Sequence, residues 1–139
     1  MPLDKFVTFY KDLTLQSVEK LEEVYHKNIR FDDPVGSHSG LDSVKVYFDN
    51  LLVNTISCRF DIDHIMEKDS EAVVVWTMYY RHPKLKNGQE LRVDGTSHLK
   101  LLDDKVIYQR DYYDIGAMLY EHIPVIGRVI KWLKNGLKN

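Results

Sequence analysis

A chain of 139 residues with 44% hydrophobic content can bury one core, and a formal charge of -2 gives no basic field to hold it on nucleic acid. Its one cysteine, Cys58, excludes an internal disulfide. Asp4, Lys5, Lys11 and Asp12 interrupt the stretch where a secretory leader needs apolar residues, so a cytoplasmic protein is expected. The apolar runs, such as Ala72 to Trp76, fall far short of the roughly 20 residues of a bilayer span.

Leu3, Phe6, Val7, Tyr10 and Leu13 recur at helical spacing and predict an amphipathic helix over residues 3 to 13. Thr14 suits the cap of a second helix, with Val18, Leu21, Val24 and Tyr25 on its buried stripe. The stretch Asp33-Pro34-Val35-Gly36-Ser37-His38-Ser39-Gly40 collects turn formers, and Pro34 biases Asp33 toward extended backbone. A third helix then buries Leu41, Val44, Phe48, Leu51 and Leu52.

From residue 57 the period changes to two, with Phe60 and Ile62 alternating with Arg59, Asp61 and Asp63. Lys68-Asp69-Ser70 turns the chain into a strand over 72–82, and Asn87-Gly88 is a hairpin signal before a strand over 90–102. Asp103-Asp104 makes the last turn, before a strand over 105–114. In strand 90–102, Leu91, Val93, Gly95, Ser97, Leu99 and Leu101 share the inward face. Gly95 and Ser97 are small where a filled core carries Val or Ile, so this face is expected to border a cavity. After Ile123-Pro124, a stripe of Ile126, Val129, Ile130, Leu133 and Leu137 predicts a terminal amphipathic helix at about 124–137. Helices first and an antiparallel meander afterwards give one α+β domain over 1–139, its helices on one face of the sheet.

Two stretches carry a resemblance. Phe31-Asp32-Asp33-Pro34-Val35-Gly36-Ser37 resembles the Asp-Pro-Val-Gly-Ser segment of bacterial ketosteroid isomerases. Lys105 to Asp114, ending Arg110-Asp111-Tyr112-Tyr113-Asp114, is similar to the last strand of limonene-epoxide hydrolase. Both belong to the nuclear transport factor 2-like superfamily, together with SnoaL-like polyketide cyclases and non-enzymatic members. The resemblance implies a cone-shaped, cystatin-like fold in which a curved antiparallel sheet wraps N-terminal helices around an internal apolar pocket. It places Asp33 at the isomerase's proton-shuttling base. Phe9, with Tyr10 beside it, and Ser97 fall where that enzyme keeps its oxyanion donors, so the donors do not carry over. Asp111 falls on one carboxylate of the hydrolase's Asp-Arg-Asp set, with Met78 and Tyr80 at the other two places. The resemblance, and an outward sheet face carrying Arg92, Thr96, His98 and Tyr108, also imply a homodimer.

Asp33 and Asp111 are accordingly the candidate catalytic residues, since two carboxyls in one apolar site push one pKa upward. The same residues equally suit a turn cap at Asp33 and an ion pair at Asp111. Tyr10, Phe31, Phe60, Trp76, Met78, Tyr80, Ser97 and Tyr113 are the candidate ligand-binding residues, and the aromatic ones suit a packed core as well. None of the six histidines has metal-ligand spacing, so neither a metal nor a cofactor is expected; only His38 falls near the pocket mouth. In the terminal helix Arg128, Lys131, Lys134 and Lys138 oppose the apolar stripe, beside Trp132. Such a helix closes a pocket, meets a partner or lies on anionic membrane. The expected function is an isomerase, cyclase or hydrolase acting on a small apolar molecule. Its alternatives are a non-catalytic binder of a hydrophobic ligand and a membrane-peripheral or scaffold protein.

Overall fold

The computed structural model describes residues 2–118 and 124–138, so Ile123, expected to punctuate the terminal helix, lies outside the described residues. Helix α1 covers Pro2–Lys11, followed by a 3-10 turn over Ser17–Lys20 and a single α-turn, α2, over Leu21–Val24. Thr14 opens this segment through a reciprocal cap. Its Oγ1 accepts the Ser17 N–H at 3.2 Å, and its own N–H donates to Ser17 Oγ at 2.8 Å. The expected second helix is thus shorter than its sequence stripe. Tyr25 already has extended dihedrals (φ -109, ψ 139) and begins strand β1, Tyr25–Asp32, instead of ending the helix.

Strand β2, Ser37–Ser39, folds back on β1 through the Asp33-to-Gly36 turn, where the two residues exchange backbone bonds of 3.0 and 3.2 Å. The region expected to be turn alone therefore contains an edge hairpin. Helix α3 spans Leu41–Leu52 and buries Val44, Phe48 and Leu52, while Leu51, expected on that stripe, is 41% exposed. The buried face is rotated toward Tyr47, which packs against the core in its place.

The meander follows as β3 (Ser57–Lys68), β4 (Glu71–Arg81), β5 (Leu91–Leu102) and β6 (Lys105–Tyr113). Asp103 and Asp104 have φ of 54 and 61, the paired left-handed dihedrals of a tight hairpin turn that matches strand twist. Asn87-Gly88 belongs to a longer connection than a two-residue hairpin, a 3-10 turn over Lys86–Gly88 held by Arg81 Nε donating to Gly88 O at 2.7 Å. The six strands form one sheet in the order β2-β1-β6-β5-β4-β3, antiparallel except for the parallel β1–β6 pair. A short α4 (Ile115–Met118) and then α5 (Pro124–Lys138) come after the sheet. No helix among the described residues is long and apolar enough to cross a membrane.

Helix α1 lies on β3 and α3 on β1, so the inner sheet face and the helices share one core. In β5 the inward residues are those the strand parity assigns, with Val93, Ser97 and Leu99 buried and Arg92, Asp94 and Lys100 exposed. The space expected beside Gly95 and Ser97 is filled, however. Trp76 is the cross-strand partner of Gly95, and a Cβ at Gly95 would meet its ring at 2.2 Å. The missing side chain makes room for the indole of the facing strand.

Candidate active site

Strand parity brings Gln109, Asp111 and Tyr113 of β6 to the inner face, and the β5–β6 register sets Ser97 opposite Asp111 and Leu99 opposite Gln109. A polar network threads this otherwise apolar wall. Trp76 Nε1 donates to Ser97 Oγ at 2.8 Å, and Ser97 Oγ donates to Asp111 Oδ1 at 2.5 Å. Gln109 Nε2 donates to the same oxygen at 2.9 Å and to the Tyr10 hydroxyl at 3.2 Å. The Tyr25 hydroxyl spends its only proton on Gln109 Oε1 at 2.6 Å. In the 2.6 Å contact between the Tyr10 and Tyr25 hydroxyls, Tyr10 must therefore be the donor. Every donor is thereby assigned, and both that reach Asp111 fall on Oδ1.

Burial pushes the Asp111 carboxyl up from 3.8 to about 7, against the lowering effect of the Ser97 and Gln109 bonds and with a further upward push from the charge of Asp33. A group at that value exchanges protons readily at neutral pH. Burial also raises the hydroxyls of Tyr10 and Tyr25 well above the usual phenol value, so both stay neutral donors.

Asp33 opens the β1–β2 turn, directly after β1, with both carboxyl oxygens engaged. Oδ1 accepts the N–H groups of Val35 at 2.9 Å and Gly36 at 3.0 Å, and Oδ2 accepts the Tyr47 hydroxyl from α3. It is a turn cap that also fixes a tyrosine. Burial, then the charge of Asp33, raises Tyr47 far above the ordinary range; burial and the charges of Asp33 and Asp111 raise Tyr113. The His38 ring stacks on Tyr47 at 4.3 Å, opposite Phe31 in the β1–β2 pairing. Among the described residues two buried polar atoms have no hydrogen-bond partner, His38 Nε2 and the Tyr80 hydroxyl.

A cavity of about 470 Å³ opens at this end of the sheet, lined by Asp33, Asp111 and Tyr113 together with Arg30, Asp32 and Arg110, among others. A larger recess of about 760 Å³ lies between α1 and the Ser17–Val24 segment, where Asp4, Lys5, Glu19, Lys20 and Glu23 are solvated surface charges rather than groups converging on one point. The smaller cavity is the candidate site, because the half-buried Asp111, where the network ends, lines it.

The other ligand-binding candidates lie behind that cavity. Tyr10, Phe31, Trp76, Met78 and Tyr80 are buried in the main core, with Phe60 packed against it and touching Tyr10 and Trp76 by ring edges at 5.0 and 4.9 Å. Ser97 is fully buried beneath Asp111. Among the described residues no group of histidine, cysteine and carboxylate side chains converges as metal ligands would. Sequence reasoning missed Tyr25, Tyr47 and Gln109. Two signals were available: the parity of Gln109 with Asp111 on β6, and the helical offset of Tyr47 from Val44 on α3.

The profile of the SnoaL-like domain family matches residues 6–109, which is most of the chain. The chain belongs to the SnoaL-like domain family. No curated protein matches it. Among solved structures, this SnoaL-like chain is similar to a candidate SnoaL-like polyketide cyclase from Shewanella denitrificans, at 18% identity over 84% of this chain and 93% of that one, with a TM-score of 0.71. It is also similar to a ketosteroid isomerase-like protein from Catenulispora acidiphila in complex with trimethylamine, at 9% identity over 85% and 88% of the two chains, TM-score 0.72. TerC, co-crystallised with polyporic acid, aligns at 15% identity over 84% and 94%, TM-score 0.71. At these identities the likeness shows a shared nuclear transport factor 2-like, ketosteroid isomerase-like fold.

Proposed function

We propose that this SnoaL-like chain is an acid/base enzyme, an isomerase or cyclase acting on a small ketone whose C–H is acidified by the carbonyl, with Asp111 as the proton carrier. One observation carries the reading. A half-buried carboxyl raised to about 7 is held through a single oxygen by Ser97 and Gln109, on the wall of a cavity it shares with Asp33. In its ionised form Asp111 takes the proton from the carbon beside the carbonyl, and the electron pair moves onto the carbonyl oxygen. Returning the proton to another carbon isomerises the substrate, whereas attack of the enolate carbon on a second carbonyl closes a ring. The hydroxyl of Tyr113, which lines the cavity and is neutral near pH 7 because burial raises it, supplies a hydrogen bond to the oxygen where charge develops.

Asp33 in this reading is a positioning residue, since its turn and Tyr47 occupy both of its oxygens. This reverses the order expected from the sequence, where Asp33 led and Asp111 was second. The trimethylamine and polyporic acid complexes of the structural neighbours support a fold that accepts small organic molecules.

The test is hydrogen–deuterium exchange at the activated carbon of a panel of aromatic and polycyclic ketones, followed by NMR. Asp111→Asn should lower exchange by about 10² to 10⁴, the usual share of a general acid–base group, while the folded spectrum is retained. Exchange at the wild-type rate in that variant would remove Asp111 from the chemistry. Ligand binding without exchange of any ketone would leave a binding protein.

A further inference from the structure

Helix α5 carries Arg128, Lys131, Lys134 and Lys138 and no carboxylate over its fifteen residues, in a chain whose formal charge is -2. At 100° per residue the four cations fall within one arc, with Asn135 among them, while Ile126, Val129, Ile130, Leu133 and Leu137 fill the opposite arc. Trp132 lies on the border between the two. Among the described residues the domain holds one flank of this helix. Lys134 Nζ pairs with Asp114, and Ile130 and Lys134 approach the Gly116 position, which has no side chain to keep them away. The centre of the apolar arc faces outward, with Ile126, Val129, Leu133 and Leu137 exposed at 50, 52, 53 and 88%, and Trp132 at 72%. In the described structure this helix therefore does not put its apolar stripe over the core.

We infer that α5 is an interfacial helix that docks the domain on an anionic lipid surface. Its apolar arc enters the acyl boundary, Trp132 sits at the headgroup level, and the cations meet lipid phosphates. Charge decides for lipid over a second copy. A second copy would add another helix with four cations and no carboxylate, whereas an anionic bilayer supplies negative charge for Arg128, Lys131 and Lys138, Lys134 being paired with Asp114. The attachment at Asp114 follows Tyr113 of the cavity wall by one residue, so a docked helix holds the cavity end of the sheet toward the lipid. The inference stands on α5 alone and does not depend on any reaction at Asp111.

Sedimentation of the full chain with vesicles of equal parts phosphatidylcholine and phosphatidylglycerol tests it, with pure phosphatidylcholine vesicles as the comparison. Binding is expected to the anionic vesicles at low salt, to fall at about 1 M salt where screening reaches about 3 Å, and to be weak on phosphatidylcholine. The fluorescence of exposed Trp132 should shift to the blue on binding; Trp76, 3% exposed in the core, should contribute no change. Leu133→Glu and the double variant Lys131→Gln/Lys138→Gln alter exposed side chains and should each lower binding by about tenfold or more with the fold unchanged by circular dichroism. No binding at low salt, or binding that both variants leave intact, overturns the proposal. So does a particle mass that Leu133→Glu halves in the absence of vesicle binding, which would assign the face to a second copy.

Discussion

A carboxyl with an unfolded value of 3.8 and a folded value of about 7 takes up a proton when the chain folds anywhere between those limits. Over that interval the folded state binds more protons than the unfolded one, so this group's contribution makes stability fall as pH rises, and the loss is complete above about 7. At about 1.4 kcal/mol per unit the penalty is on the order of a few kcal/mol at pH 8. Asp111→Asn keeps an oxygen for Ser97 and Gln109 and removes the charge. Thermal melts should therefore show the variant more stable than wild type at pH 8 and little changed at pH 4, while its deuterium exchange is lost. A variant less stable at both pH values would mean that the carboxylate is structural. Ser97→Ala separates the same roles differently. Its hydrogen bond lowers Asp111, so removing it should move the midpoint of the exchange–pH profile upward. It also leaves Trp76 Nε1 without its acceptor, at about 1–3 kcal/mol of stability. A lower melting temperature with an unmoved midpoint would make Ser97 a support for the indole only. Asp33 and Asp111 were named from the resemblance of their stretches to known enzymes, and the structure places both on one cavity. Gln109 and Tyr25 were not legible in the sequence, because what they do depends on a contact between residues 84 positions apart, which no local pattern records.

At the scale of elements, the sequence was clear where a period ran without interruption, as in α1, β4 and β5. Strand β1 was hidden because its buried residues, Tyr25, Ile29 and Phe31, do not alternate regularly. A bulge in its pairing with β6 lies between Tyr25 and Arg30, and Tyr25 also continues the helical spacing of Leu21. The pattern of small residues at Gly95 and Ser97 was legible too, but its consequence was not. A missing side chain on one strand signals a cavity only when the facing strand leaves the space empty, and here Trp76 occupies it. Gly95→Ala puts a methyl group within 2.2 Å of the indole carbons, so the ring must move and its bond to Ser97 with it. Overpacking of this kind costs about 1–3 kcal/mol. Chemical denaturation should show that loss for Gly95→Ala and a smaller one when the same change is made in a Trp76→Phe background, because the two positions share a space and their effects are not additive. Equal losses in both backgrounds would mean that the indole does not depend on the glycine.

At the scale of the whole molecule, the outer sheet face is the surface least explained by the fold itself. Val75 and Thr96 are cross-strand partners at its centre, both half-buried, with Val73, Tyr108 and the 51% exposed Tyr112 around them. Charged side chains are interspersed, but several are engaged within the chain. Arg92 pairs with Asp94, Lys100 lies 5.1 Å over the Tyr108 ring, and Arg110 lies 5.0 Å over Tyr112. An apolar centre between satisfied charges is the anatomy of an interface with a polar rim. A twofold pairing through this face is the expected assembly, with Arg92, Thr96, His98 and Tyr108 at the contact. It leaves Asp111, on the inner face, out of the contact. Light scattering at micromolar concentration should return twice 16.4 kDa. Because a twofold contact repeats every substitution across the axis, Val75→Glu brings two carboxylates together there and should yield monomer. Leu133→Glu, on α5, should leave the mass unchanged, which separates this contact from any made by α5. A wild-type particle of single mass removes the dimer, and a dimer that survives Val75→Glu moves the contact away from the sheet.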